Sequence, residues 1–174
     1  QKDFERAKET IQFIKEKKWN SALKSAKRVK DREFRNLINW MHLKTTRNGA
    51  SFNEYKKFIE QNEDYPRINR IRYLAEEKIY LRNNSPTSII SWFEKYPPLG
   101  GIGKIKLAEA YLEQNQTDKV IDLIKDGWIT ASIKKNDLGY YRAKFKKFID
   151  SDDHIKRADY LAWERKYWDL KRML

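Results

Sequence analysis

Signals that start helices recur along this chain at nearly constant intervals, near Asp31, Asp64, Gly100 and Asn136, in steps of 33, 36 and 36 residues. A period of that length is one helix–turn–helix hairpin, a unit that cannot bury its apolar face alone and must stack on its neighbours. No segment shows the sustained period-two alternation of a strand. The spacing therefore predicts an all-α chain, a right-handed α-solenoid of about five hairpins with a tetratricopeptide-like superhelix, spanning 1–174 as one domain.

The apolar pattern fills in the hairpins. Phe4, Ala7, Ile11 and Ile14 lie on one helical face, and Trp19, Ala22, Leu23, Ala26 and Val29 form the returning face. Ser51 and Glu54 match a capping box ahead of Phe52, Tyr55, Phe58 and Ile59. Asp64 and Pro66 suggest the next helix start, Ser85-Pro86 another, and Pro97-Pro98 with Gly100-Gly101 a stop and restart. Ile105, Ala108, Tyr111 and Leu112 then pair with Val120, Ile121 and Ile124, and Trp128 falls in a following loop. The last pair is expected at about 138–149 and 154–174. In its second helix Tyr160, Trp163, Tyr167, Leu170 and Leu174 form an inward stripe, while Leu161 and Trp168 fall on a second, exposed strip. Trp19, Trp40, Trp92 and Trp163 sit at core spacing.

The chain carries 38 basic and 25 acidic residues, a net charge of +13, with 25 lysines among the basic ones. Such a balance invites a polyanionic partner, but abundant Lys, Asn and Ile are also what an AT-rich genome writes into any surface. The excess leans to the N-terminus, where residues 1–30 hold ten basic and four acidic side chains. Within it Lys24, Lys27 and Arg28 form a ridge at i, i+3 and i+4, the candidate polyanion-facing residues. Most such ridges are simply solvated. There is no cysteine, hence no disulfide framework or thiolate site, and no apolar run approaches the roughly 20 residues of a membrane span.

Residues that could carry chemistry are scattered. Glu76-Glu77 and Asp152-Asp153 are adjacent carboxylates, and neighbours on a helix point about 100° apart, so neither makes an acid/base pair. Arg72 and Glu76 have ion-pair spacing, and Asp152 or Asp153 suits a helix start. His42 and His154 lack a second ligand at metal-binding spacing, which points to surface or capping roles. Gly100-Gly101-Ile102-Gly103 follows prolines, not a strand, and lacks a phosphate-binding lysine–serine pair. No catalytic, cofactor-binding or metal-ligating set is expected. No base-reading pair recurs at fixed places in the hairpins, so nucleic acid is not the expected partner.

Several stretches are more specific. LINWMHLK at 37–44, ASFNEYKKFIEQNEDYP at 50–66, LAEEKI at 74–79, WFEKYPPLGGIGKIKLAEAYLEQNQ at 92–116, LIKDGW at 123–128 and DHIKRADYLAW at 153–163 resemble, in order, the α-superhelical domain of soluble lytic murein transglycosylases. The resemblance implies a periplasmic protein that cleaves peptidoglycan without cofactors, through a C-terminal lysozyme-like domain whose catalytic glutamate precedes a serine. No Glu-Ser dipeptide occurs here, so that domain is expected outside this chain. What carries over is scaffold: Trp40, Phe58, Pro66, Glu76, Pro98, Ala108, Trp128, Arg157, Leu161 and Trp163. The expected role is noncatalytic support of glycan cleavage, with peptidoglycan as partner through the parent enzyme and protein partners on the solenoid surface. The alternative is a tetratricopeptide-like protein-interaction module without activity.

Overall fold

A computed structural model describes residues 1–173. Those residues form eleven α-helices and one 3-10 turn, with no strand among them. By contacts the chain divides into two compact units, Gln1–Ala75 and Glu76–Leu174.

In the first unit α1 (Lys2–Lys15), α2 (Trp19–Ala26), α3 (Arg32–Lys44) and α4 (Phe52–Gln61) pack each on the next. Start signals work where expected: Asp31 accepts from the Phe34 amide at 2.7 Å, and Ser51 with Glu54 makes the full capping box. The turn at Asn48 is tied down by its side-chain amide, which donates to the Leu43 and Thr45 carbonyls, while the Tyr55 hydroxyl donates to Leu43 O at 2.6 Å. Ala22, Ile38, Leu43, Tyr55 and Ile59 are buried between these helices. Each large aliphatic side chain removed from water contributes about 1.5–3 kcal/mol. Asp64 and Pro66 start no helix, because Arg67 takes φ 58° and α5 begins only at Ile68, running to Glu76.

In the second unit α6 (Pro86–Lys95) packs on α7 (Gly101–Glu113), α7 on α8 (Ile121–Thr130), and α8 on α10 (Ser151–Trp163); α9 is Lys135–Lys144 and α11 is Tyr167–Lys171. Ile105, Ala108, Ile124, Trp128, Tyr141 and Phe145 belong to one buried cluster. Trp128 lies inside α8, not in a loop. Thr117–Lys119 is a 3-10 turn leading into α8, whose N-cap is Val120. Asp150, rather than Asp152 or Asp153, caps α10, with Asp153 answering it in a capping box.

Glycine and the left-handed backbone part company here. No glycine has positive φ; Lys17, Arg47, Arg67, Asn115 and Arg165 do, and Lys17, Asn115 and Arg165 each follow the last turn of a helix. Glycine serves close approach instead. A Cβ on Gly127 would stand 2.9 Å from Ile105 Cγ1 and 3.0 Å from the Gly101 carbonyl, so α7 and α8 meet almost backbone to backbone.

The C-terminal expectation fails in detail. Arg165, at φ 54°, breaks the single long helix into α10 and α11. Leu161 is buried, whereas Trp163 is 85% exposed and Tyr167 is exposed. The inward stripe drawn through Tyr160, Trp163, Tyr167, Leu170 and Leu174 is thus broken by the turn, and Leu174 lies outside the described residues. Trp168, at 68% exposure, is on the surface as expected. Of the four tryptophans placed in the core, Trp92 is buried, Trp19 and Trp40 are half-buried, and Trp163 is not in it.

Candidate functional site

α7 is buried almost all round from Gly103 to Ala110, and this stretch includes two charged residues, Lys106 and Glu109. The periodicity gave no hint of them. A helix is read from one apolar stripe, and Lys106 and Glu109 lie off the stripe of Ile105, Ala108 and Leu112, where charge usually means solvent. Here a second layer of protein covers that face.

Lys106 is 1% exposed and its ammonium has no hydrogen-bond partner. Aromatic rings stand in for one: Nζ lies 3.6 Å from the Tyr80 ring centroid and 5.5 Å from that of Tyr141. Burial pushes the amine down to about 8, against the opposing pull of Glu109 and Asp137. The Tyr80 hydroxyl donates to Asp137 Oδ2 at 2.9 Å. Burial and that bond raise the phenol to about 12. Burial likewise raises Tyr141.

Beside this box Tyr140 Oη donates to Glu109 Oε1, and Lys144 Nζ reaches Glu109 Oε1 at 3.3 Å and Glu113 Oε1 at 2.6 Å. Burial opposes the Lys144 charge, but Glu113, Tyr140 and Glu109 outweigh it, and the lysine is raised. A cavity of about 260 Å³ opens between Tyr80, Arg82, Glu109, Asp137, Tyr140 and Tyr141. A depressed amine beside carboxylates is the raw material of amine catalysis. In this case both carboxylates already accept from protein donors, and the bonds they accept join α9 to α7 through Glu109 and to the Tyr80 segment through Asp137. The arrangement works as a polar lock around a boxed cation.

Two further joints use buried charge. The Glu76 carboxylate accepts the Leu99 amide through Oε1 and the Gly100 amide through Oε2, the latter at 3.0 Å, placing a negative charge at the start of α7. Arg157, fully buried, donates through Nη1 to the Trp128 and Ala131 carbonyls, the latter at 2.9 Å, and so satisfies the C-terminal end of α8. His154 is not a free surface group: its Nδ1 accepts from Trp128 Nε1 at 3.2 Å. His42 is buried, with its ring 5.3 Å from that of Trp19. Among the described residues no cluster of three or more His, Cys, Asp or Glu could hold a metal ion, and no helix is long and apolar enough to cross a membrane.

Lys24, Lys27 and Arg28 are all exposed. They do not act as a uniform ridge, since Arg28 is paired with Glu9 at 2.5 Å while Lys24 and Lys27 have no ion pair among the described residues. Lys27 also lines a groove of about 220 Å³ with Asn36, Asn39, His42, Gln61 and Asn62. Comparison with known protein families, with curated proteins and with solved structures finds no match for this chain.

Proposed function

We propose that this chain is a noncatalytic helical scaffold of a periplasmic peptidoglycan lytic transglycosylase, its hairpins arranged as a superhelix that supports glycan-strand cleavage by a lysozyme-like domain outside these residues. One observation carries this reading. Several of the segments that resemble that family make specific joints: LAEEKI supplies Glu76, PPLGGIG the amides and glycines it meets, LIKDGW supplies Gly127 and Trp128, and DHIKRADYLAW supplies His154, Arg157 and Leu161. Segments that resemble a scaffold family thus fall where these helices need particular residues, which a generic amphipathic pattern would not require there.

The test uses purified sacculi. The chain is expected to pellet with them weakly at low salt and to be released as salt is raised, since the contacts are exposed lysines facing anionic stem peptides. Replacing Lys24, Lys27 and Arg28 by Glu should abolish the low-salt pelleting, and the chain alone should release no 1,6-anhydromuropeptides. Pelleting that the triple variant leaves untouched would discard the ridge as the contact. Absence of pelleting at any salt would discard the peptidoglycan reading for this part of the protein.

A second reading, a protein-interaction module, is favoured by Trp163, Tyr167 and Trp168, three exposed aromatics within six residues. It calls for a protein ligand lost when those three are replaced, with sacculus binding unchanged.

A further inference from the structure

The lock around Lys106 leaves another cleft unexplained. Between α9 and α10 two cavities, of about 250 and 640 Å³, share Arg142, Ser151 and His154 and so form two ends of one cleft. One end is walled by Trp128, Leu138, Ile155 and Met173. The other end adds Lys146 and Asp150. Together they fall in the size range of small-molecule sites, about 300–1,000 Å³.

Its charges are unequal in what they have left to offer. Arg172, at the apolar end, is already engaged by Asp169, and Asp150 is held by Lys125 at 3.2 Å. Arg142 and Lys146 have no carboxylate partner among the described residues, and both are exposed. His154 accepts from Trp128 on Nδ1, which places the proton of its neutral ring on Nε2, a further donor in the wall. The N-terminus of α10 is not the attraction, because Asp150 and Asp153 already cap it reciprocally.

We propose that this cleft binds an amphiphilic monocarboxylate, with an aliphatic chain among Trp128, Leu138, Ile155 and Met173 and the carboxylate at Arg142 and Lys146. A neutral apolar ligand would leave two cations at its end unanswered. A cationic one would be repelled, and a small dianion would face Asp150 while leaving the apolar wall empty. One negative charge on an apolar chain matches both ends, and Arg142 offers the fork that a carboxylate takes bidentately.

Octanoate is the probe, read on the full chain by the ¹⁵N–¹H resonance of the Trp128 indole, whose N–H is bonded to His154. Octanoate should shift that resonance saturably. The Arg142→Glu/Lys146→Glu variant, altered only at exposed positions, should weaken binding at least about ten-fold, as should replacing octanoate by 1-octanol. Acetate at the same concentration should leave the resonance in place. The proposal is overturned if octanoate does not move the Trp128 indole, if octanol matches octanoate, if the double variant binds as tightly as the parent, or if acetate reproduces the shift.

Discussion

The carboxylate of Glu76 occupies the space in which a side chain on residue 103 would have to sit: a Cβ built on Gly103 meets both of its oxygens. That carboxylate cannot simply swing aside, because it is buried and holds the amides of Leu99 and Gly100. Gly103→Ala is therefore expected to cost about 2–4 kcal/mol in chemical unfolding, the sum of a forced shift and the bonds it loosens. Glu76→Ala should be costly too, by stranding two amides. In the double variant the two losses should fall well short of additive, since the second change finds the contact already gone. Additive losses would mean that Gly103 is needed for some reason other than Glu76.

Lys106 makes a pH-dependent prediction. Its folded-state value is pushed down to about 8, so the unfolded chain, with an ordinary lysine, binds more protons between about pH 8 and pH 10.5. Below about pH 8 both states are protonated and the buried ammonium destabilises the fold in full; as pH rises through that window the folded state sheds its proton first and the penalty fades. Lys106→Met, close in volume, should stabilise the protein at pH 7 by about 1–3 kcal/mol, less what the Tyr80 ring returned to the cation. Glu109 retains Lys144 and Tyr140, and Asp137 retains Tyr80. The advantage should shrink toward pH 10, and a difference that stays flat from pH 7 to pH 10 would refute the depressed amine.

The tryptophans divide sharply by exposure, with Trp163 and Trp168 on the surface and Trp92 and Trp128 buried. Acrylamide should quench a readily accessible fraction of the fluorescence in the monomer, and Trp163→Phe/Trp168→Phe should remove most of that fraction while leaving the protected one. An unchanged quenching slope in that variant would show that these two rings are covered in solution, by self-association or by each other's surroundings.

Start signals were legible where a side chain caps its own helix, though Asp64 and Pro66 start none. Asp31, Ser51 and Ser85 each cap a helix within three residues of themselves, with no help from distant chain. Helix ends were less so. The change of apolar face between Ile14 and Trp19 marks the stop at Lys17, but at Arg165 an arginine rather than a glycine takes the left-handed position, and nothing local separates α10 from α11. Pattern sufficed for the apolar face of α4, where Phe52, Tyr55, Phe58 and Ile59 are buried, but not for Phe4 and Ile11, which are exposed on α1, nor for Trp163, whose helix ends at that residue.

What the sequence determined by itself is an all-helical chain cut into hairpins, since 3.6-residue periodicity, caps and proline breaks are properties of a dozen neighbouring residues at a time. What only the tertiary structure decided is the fate of its charges. Whether Lys106, Glu109, Glu76 and Arg157 face water or each other depends on a second layer of helices and loops 20 to 35 residues away in sequence. A burial that separates an ammonium from solvent, or brings a carboxylate to the amides of another segment, leaves no local trace in the composition of the helix that carries it.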